Sequence, residues 1–146
     1  VIDYFDASAL AAMLFSEPAG QSVIDHMAGS EGDPLVSDFV VAEVSSAISK
    51  LVRMRARTLA QGEYLLANLD DWVATAGAPV DIHPLDVRQA TALVRQFDLK
   101  LRTPDALHIA ICRRIDARLI TLDINLADAA RAVGVACINP AEPSAT

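Results

Sequence analysis

The chain has 146 residues, 53% hydrophobic and 21% charged, with a formal net charge of −7, enough for one well-buried core of ordinary domain size and too little for two. Its mean hydropathy of +0.32 comes from scattered apolar residues, and no run approaches the roughly 18 unbroken apolar positions of a membrane-spanning helix. Val1 to Asp6 include two acids and lack the basic and apolar regions of a secretory signal, so a soluble, cytoplasmic protein is expected. Cys112 and Cys137 fall in segments that read as a helix and a strand, and are expected as buried, reduced thiols.

Ile2 to Phe5 reads as a short apolar strand that ends at Asp6, and the Ala- and Leu-rich stretch from Ala7 to Phe15 as a helix. Pro18 is placed to start a second helix through Val23, Ile24 and Met27, and residues 29–34 have loop composition. Leu35 to Ser37 is a second strand. Asp38 is placed to cap a long helix in which Val41, Val44, Ile48 and Leu51 recur at the spacing of one buried face, with Glu43 in its first turns. Thr58-Leu59-Ala60-Gln61 has capping-box form and opens a helix containing Leu65, Leu66, Leu69 and Trp72.

Pro79 to His83 reads as a third strand, and Asp86 opens a helix through Ala90, Leu93, Val94 and Phe97. Thr103-Pro104-Asp105 places a Thr cap and a first-position Pro at the start of the next helix. Arg118 to Thr121 is a compact strand that delivers Asp123 at its exit. A short helix over Leu126 to Ala132 and a last strand over Val135 to Ile138 follow. One domain over residues 1–139 is expected, with a frayed tail over 140–146. Strands separated by helices predict an α/β fold with a parallel sheet covered on both faces. In such sheets ligands bind beyond the carboxyl ends of the strands, where the strand order reverses.

Asp6, Glu43, Asp105 and Asp123 each fall where a strand ends or a helix begins, and no Cys or His cluster accompanies them. Carboxylates that converge without soft ligands suit a hard cation such as Mg2+ or Mn2+. Two unit charges 4 Å apart repel by roughly 4 kcal/mol at an effective dielectric near 20, a cost that a dication removes. With water and phosphate oxygens as further ligands, this is equipment for phosphodiester hydrolysis by a metal-activated water. Taken singly, Asp105 and Asp123 equally suit helix capping and turn roles. Glu43 differs, because an acid beside the apolar face of its helix is costly without a partner.

Competing chemistries lack their signatures. There is no Gly-x-Gly-x-x-Gly after the first strand, no phosphate-binding Walker sequence and no Gly-x-Ser-x-Gly elbow. A haloacid-dehalogenase-like phosphatase requires a second Asp two positions after the first, where Ser8 stands. The acidic balance argues against a nucleic-acid partner at first sight. Neutralising the four acids with cations leaves −3 of the −7, and a metal inverts the sign that a phosphate meets.

Asp6-Ala7-Ser8-Ala9-Leu10, Ala42-Glu43-Val44 after a strand ending in Ser37, the segment from Pro104 to Ala110, and Thr121-Leu122-Asp123 resemble the PIN domain family, in its order. The length further resembles VapC-type toxins of toxin-antitoxin modules, and the likeness runs from Ile2 to Asn139. The resemblance implies a three-layer α/β/α fold with a five-stranded parallel sheet. It also implies an Mg2+- or Mn2+-dependent endoribonuclease leaving 5'-phosphate and 3'-hydroxyl ends. Asp6, Glu43, Asp105 and Asp123 match the family's acidic quartet, as catalytic residues and metal ligands. Ser8 matches a small hydroxyl residue that supports the first acid, and Thr121 one that lines the pocket near the last. Asn125 stands where some relatives carry another acid. A homodimer is implied too, inhibited by an antitoxin whose carboxyl-terminal segment lies along the toxin groove and sends an Arg to the carboxylates.

Weaker signals carry two readings each. Lys50, Arg53 and Arg57, with Arg55 nearby, can grip RNA backbone or simply form a solvated helix face, and Arg113 and Arg114 the same. Met13, Leu14 and Phe15 suit core packing ahead of a partner surface. His108, one turn after Asp105, suits a hydrogen-bonded core ahead of a role behind the acids. Aromatics make up 5% of the chain, so base stacking is not an obvious source of affinity. Two other functions remain open: a metal phosphohydrolase acting on small phosphate esters, and a non-catalytic PIN-like binding module.

Overall fold

Strand β1 (Asp3–Phe5) lies at the middle of the sheet, between β2 (Leu35–Ser37) and β4 (Arg118–Ile120), with β3 (Ala78–Val80) and β5 (Cys137–Ile138) at the edges. All four pairings are parallel, with Tyr4 opposite Leu35 on one side and Leu119 on the other. This computed structural model describes residues 1–143. Helices α1 (Ala7–Leu14) and α2 (Gly20–Ala28) join β1 to β2, and α3 (Asp38–Arg53) and α4 (Leu59–Thr75) join β2 to β3. Helix α5 (Pro84–Val94), a 3-10 turn at Phe97–Leu99 and α6 (Thr103–Ile115) lead to β4, and α7 (Ile124–Ala132) leads to β5.

The chain steps outward from β1 through β2 to β3, then crosses back over the sheet to β4 and β5. Right-handed crossovers therefore put α1 to α4 on one face and α5 to α7 on the other. In agreement, α1 packs against α2, α3 and α4, while α5 packs against α6. The result is the expected three-layer α/β/α fold. Tyr4, Phe5, Leu119 and Ile120 of the two central strands are at most 1% exposed, as strands covered on both faces must be. Met13, Leu14 and Phe15 pack partly buried against this core, in keeping with the core alternative for them.

Several boundaries move by a residue or more, each for a local reason. Ser37, not Asp38, caps α3, because its Oγ accepts the Val40 N–H at 3.3 Å. The helix expected from Pro18 begins at Gly20, where a Cβ would collide with the Ala12 carbonyl oxygen of α1. β3 ends at Val80 because His83 is already the cap position of α5, whose first turn holds Pro84 and Asp86. Pro79 is tolerated there because β3 is an edge strand. α5 stops at Val94, leaving Phe97 86% exposed in the 3-10 turn rather than inside the helix.

The cap of α6 is Arg102 rather than Thr103, since Asp105 reaches back to the Arg102 N–H at 3.2 Å. α7 starts two residues earlier than expected, capped by Asp123, and β5 is confined to two residues. Both cysteines are free, Cys112 buried and Cys137 half-buried. Burial pushes both thiols up, Cys137 to about 11. Of the tail expected over 140–146, residues 144–146 lie outside the described residues, and Glu142 N–H donates to the Asn139 carbonyl at 3.0 Å. Among the described residues no helix is long and apolar enough to cross a membrane.

Candidate active site

Neighbouring strands β1 and β4 send the chain off in opposite directions, which opens a crevice beyond their carboxyl ends. Asp6 follows β1, and its N–H donates to Ile120 O of β4 at 3.1 Å. It also caps α1, with Oδ1 accepting from Ala9 N–H at 3.0 Å and from Ser8 Oγ at 2.7 Å. Oδ2 accepts from Thr121 Oγ1 at 2.6 Å. Both hydroxyl protons thus belong to Asp6. The hydroxyl oxygens in turn accept the Leu122 N–H (Ser8) and the Asp123 N–H (Thr121), each at 3.0 Å. A single network binds the exits of β1 and β4 together. Ser8, expected to support the first acid, and Thr121, expected to line the pocket near the last, thus each donate to Asp6.

Asp123 caps α7, with Oδ1 accepting from Leu126 N–H at 3.1 Å. Asp105 sits in the first turn of α6, and Arg102 Nε lies 3.8 Å from its Oδ2. Glu43 is in the second turn of α3, and its Oε1 accepts from His108 Nε2 at 2.6 Å. His108 is buried, 2% exposed, and its Nδ1 lies 2.9 Å from the Tyr4 hydroxyl, which lies 2.8 Å from Ser37 Oγ. The partner that Glu43 requires is therefore the same His108 that the sequence reading weighed toward the core. Tyr4 and Ser37 escaped notice there because a Tyr inside a strand and a Ser at a helix start carry no signal of their own.

The electrostatics tie the four acids to one region. Burial pushes the Asp6 carboxyl above its ordinary range, against hydrogen bonds that pull it down. Burial raises Asp105 too, and the nearby Asp123 carboxylate adds to the shift. The His108 ring is close enough to act on both Asp6 and Asp105. As the side chains stand, no three carboxylate, His or Cys groups among the described residues approach closely enough to hold an ion.

Asn125 is exposed and donates to the Lys100 carbonyl at 3.1 Å, which ties α7 to the loop before α6. Lys50 and Arg53 lie at the far end of α3 from Glu43, roughly 10 and 15 Å along the axis at 1.5 Å per residue. Arg57 follows in the loop to α4, and all three are exposed. Arg114 is occupied by Asp86 at 2.8 Å, and Arg113 donates to the Val133 carbonyl.

An open five-stranded parallel sheet between layers of helices, with acids beyond the carboxyl ends of its central strands, defines a protein of the three-layer α/β class. The sequence profile of the PIN domain matches residues 4–132, and the chain belongs to that family. No curated protein is similar enough in sequence to match. Among solved structures, the chain is similar to VapBC2 from Rickettsia felis bound to a promoter DNA fragment. That match has 16% identity and a TM-score of 0.72 over 95% of this chain and 98% of that one. It is similar to Mycobacterium tuberculosis VapC20, described as a toxin cleaving the sarcin-ricin loop, at 18% identity and TM-score 0.70 over 91% and 95%. FitAcB from Neisseria gonorrhoeae matches at 18% identity and TM-score 0.71 over 95% and 98%. At these identities the likeness establishes the fold.

The donor set fits a hard divalent cation. It offers only carboxylate oxygens, two of them on groups that burial makes reluctant to ionise alone. A dication at this mouth favours the ionised forms that burial opposes.

Proposed function

We propose that this chain is a divalent-metal-dependent endoribonuclease, the toxin of a toxin-antitoxin pair, with Asp6, Glu43, Asp105 and Asp123 as its metal ligands. The observation that supports the reading is the placement of these acids around one buried histidine beyond the strand ends of a PIN fold: His108 bonds Glu43 and acts on Asp6 and Asp105, and Asp123 acts on Asp105. Such a group of acids repels a phosphate backbone unless a cation is present, so RNA engagement depends on metal. Asp6, held by two donors from α1 and by Thr121 at the exit of β4, is the rigid member. Ser8 and Thr121 fix the direction of its two oxygens. Glu43 and Asp123 are less buried, and each has one oxygen already bonded, to His108 and to Leu126 N–H, which leaves the other as the donor that would serve a cation. A bound Mg2+ or Mn2+ supplies water activation and neutralises charge developing on the phosphate, leaving 5'-phosphate and 3'-hydroxyl ends.

The partner reading rests on the neighbours. A structure from Klebsiella pneumoniae is described as a toxin-antitoxin complex, and VapC20 as a toxin cleaving the sarcin-ricin loop. By analogy this chain takes a cognate antitoxin, forms a homodimer and cleaves RNA, with Lys50, Arg53 and Arg57 as outlying backbone contacts. The test is cleavage of a panel of structured and single-stranded RNAs with Mg2+, Mn2+ or EDTA, beside Asp6→Asn. Metal-dependent cleavage that vanishes in the variant supports the proposal. No cleavage of any RNA by folded, antitoxin-free protein sinks it.

One observation favours a second reading, a PIN module that binds without cutting: the acids stand too far apart to hold an ion as they are. Metal titration separates the two. Hydrolysis of a chromogenic phosphate ester in place of RNA selects a small-ester phosphohydrolase.

A further inference from the structure

Tyr4, Ser37 and His108 are 0%, 1% and 2% exposed, and they form a continuous line of polar atoms that ends on Glu43. The imidazole is bracketed by aromatic rings, with the Tyr4 and Phe39 centroids each 5.7 Å away. The proton positions follow from the bonding. A carboxylate only accepts, so the hydrogen between His108 Nε2 and Glu43 Oε1 sits on nitrogen. In the neutral ring Nδ1 then accepts from the Tyr4 hydroxyl, and the Tyr4 oxygen accepts from Ser37 Oγ–H. Ser37 Oγ itself accepts from Val40 N–H. Every donor finds an acceptor in this single direction. Turning the chain around puts a hydrogen on Nδ1 and leaves the Ser37 hydroxyl proton with no acceptor, a costly state at 1% exposure.

The placement of the three residues gives the line a purpose. Tyr4 stands two residues before Asp6, Ser37 caps the helix that carries Glu43, and His108 lies one turn after Asp105 on α6. The line thus fastens together the three elements that bear three of the acids, while Ser8 and Thr121 fasten Asp123 to Asp6. We infer that Ser37, Tyr4 and His108 form a one-way hydrogen-bond relay that holds Glu43 by Oε1 and leaves Oε2 to face the metal, making His108 a positioning residue for cation binding. The inference rests on the assignment of Glu43 as a metal ligand. A Glu side chain has three rotatable bonds and, on a half-buried turn, many directions to point. Fixing one oxygen removes most of that freedom before the ion arrives.

The experiment is Mn2+ titration by calorimetry of wild type, His108→Phe, His108→Gln and Tyr4→Phe, with nitrogen-15 spectra of the imidazole in metal-free protein. His108→Phe keeps a ring and removes the donor, and is expected to bind Mn2+ about tenfold more weakly or worse. His108→Gln, whose amide nitrogen stands in for Nε2, recovers most of the affinity. Tyr4→Phe frees Nδ1 and weakens binding less than His108→Phe. The metal-free spectrum shows the proton on Nε2.

Wild-type affinity in His108→Phe, or a His108→Gln as weak as His108→Phe, overturns the relay. If His108→Phe does not fold, Tyr4→Phe decides, and unchanged affinity there overturns the inference. Wild-type protein that takes up no Mn2+ overturns the metal-site reading itself. The metal-free spectrum tells that failure apart, because a proton on Nδ1 in place of Nε2 overturns the relay independently.

Discussion

Thr121 Oγ1 donates to Asp6 Oδ2 at 2.6 Å and accepts the Asp123 N–H at 3.0 Å, so one hydroxyl holds the exits of β1 and β4 in register. Thr121 is 0% exposed, and no water replaces a lost bond there easily. Thr121→Val keeps the shape and orphans both groups. The expected loss is about 1 to 3 kcal/mol of stability, read as a lower denaturant midpoint, together with weaker Mn2+ binding. Thr121→Ser, which retains the hydroxyl, stays near wild type in both measurements. Equal midpoints for Thr121→Val and wild type would remove the hydroxyl from any structural role.

Asp6 illustrates a site held at some expense to the fold. Burial raises its carboxyl, so relative to the unfolded chain the ionised group weakens the native state above an unfolded pKa of about 3.9. That penalty fades as pH falls through the raised folded value. A cation at the mouth relieves it at neutral pH. Mg2+ or Mn2+ is therefore expected to raise the melting temperature, by the equivalent of about 2.7 kcal/mol at a hundred times the dissociation constant. The effect shrinks on acidification as Asp6 and Asp105 take up protons. Asp6→Asn is expected to lose the metal-induced shift and all RNA cleavage, while its metal-free form still folds. Thermal scans with and without metal at two pH values check each part.

The alternation of strands and helices was readable because each buried strand is short, apolar and followed by a patterned helix. The end of the sheet to which the acids belong followed from the same alternation. What escaped the sequence depends on neighbours that only the fold supplies. His108 looks like a core residue because it is one, and its function comes from meeting Glu43 across 65 positions of chain. Asp3, read within an apolar strand, is buried because Arg118 opens the adjacent strand in register with it. Helix starts were misassigned where two residues compete to cap: Ser37 against Asp38, and Asp105 reaching backward from inside α6.

Asp3 anchors the opposite end of β1. Its Oδ1 accepts from Arg118 Nε at 2.7 Å, and Oδ2 accepts from His26 Nε2 at 2.8 Å and Ser30 Oγ at 3.0 Å. Burial alone raises this carboxyl, but the bonds from Arg118, His26 and Ser30 outweigh it and hold the group below its usual range. A lowered folded pKa contributes stability that is complete above the unfolded value of about 3.9 and is lost as pH falls through the folded value. Arg118→Met is expected to cost about 3 kcal/mol at neutral pH, the low end for a broken buried pair because Arg118 is partly solvated. It should also flatten the acid limb of the stability profile below pH 4 or so. Denaturant melts of both proteins from neutral pH downward measure the two effects, and parallel acid limbs would show that the Asp3 and Arg118 pair carries none of the dependence.

Gly20 tests how closely α1 and α2 must pack for α1 to present Asp6. Its N–H donates to the Glu17 carbonyl at 2.9 Å, and a Cβ would run into the backbone carbonyl of Ala12. Backbone cannot rotate out of the way as a side chain can, so Gly20→Ala has to push α2 off α1. Overpacking of this kind costs about 1 to 3 kcal/mol, more than enough to cancel the smaller gain that alanine brings over glycine in a helix. The amino end of α1 is pinned separately, by Asp6 to Ala9 N–H at 3.0 Å and to Thr121 at 2.6 Å. The variant is therefore expected to lose stability while the folded fraction keeps wild-type Mn2+ affinity. A matched fall in both would mean that the α1 and α2 contact, and not the hydroxyl network alone, sets the position of Asp6.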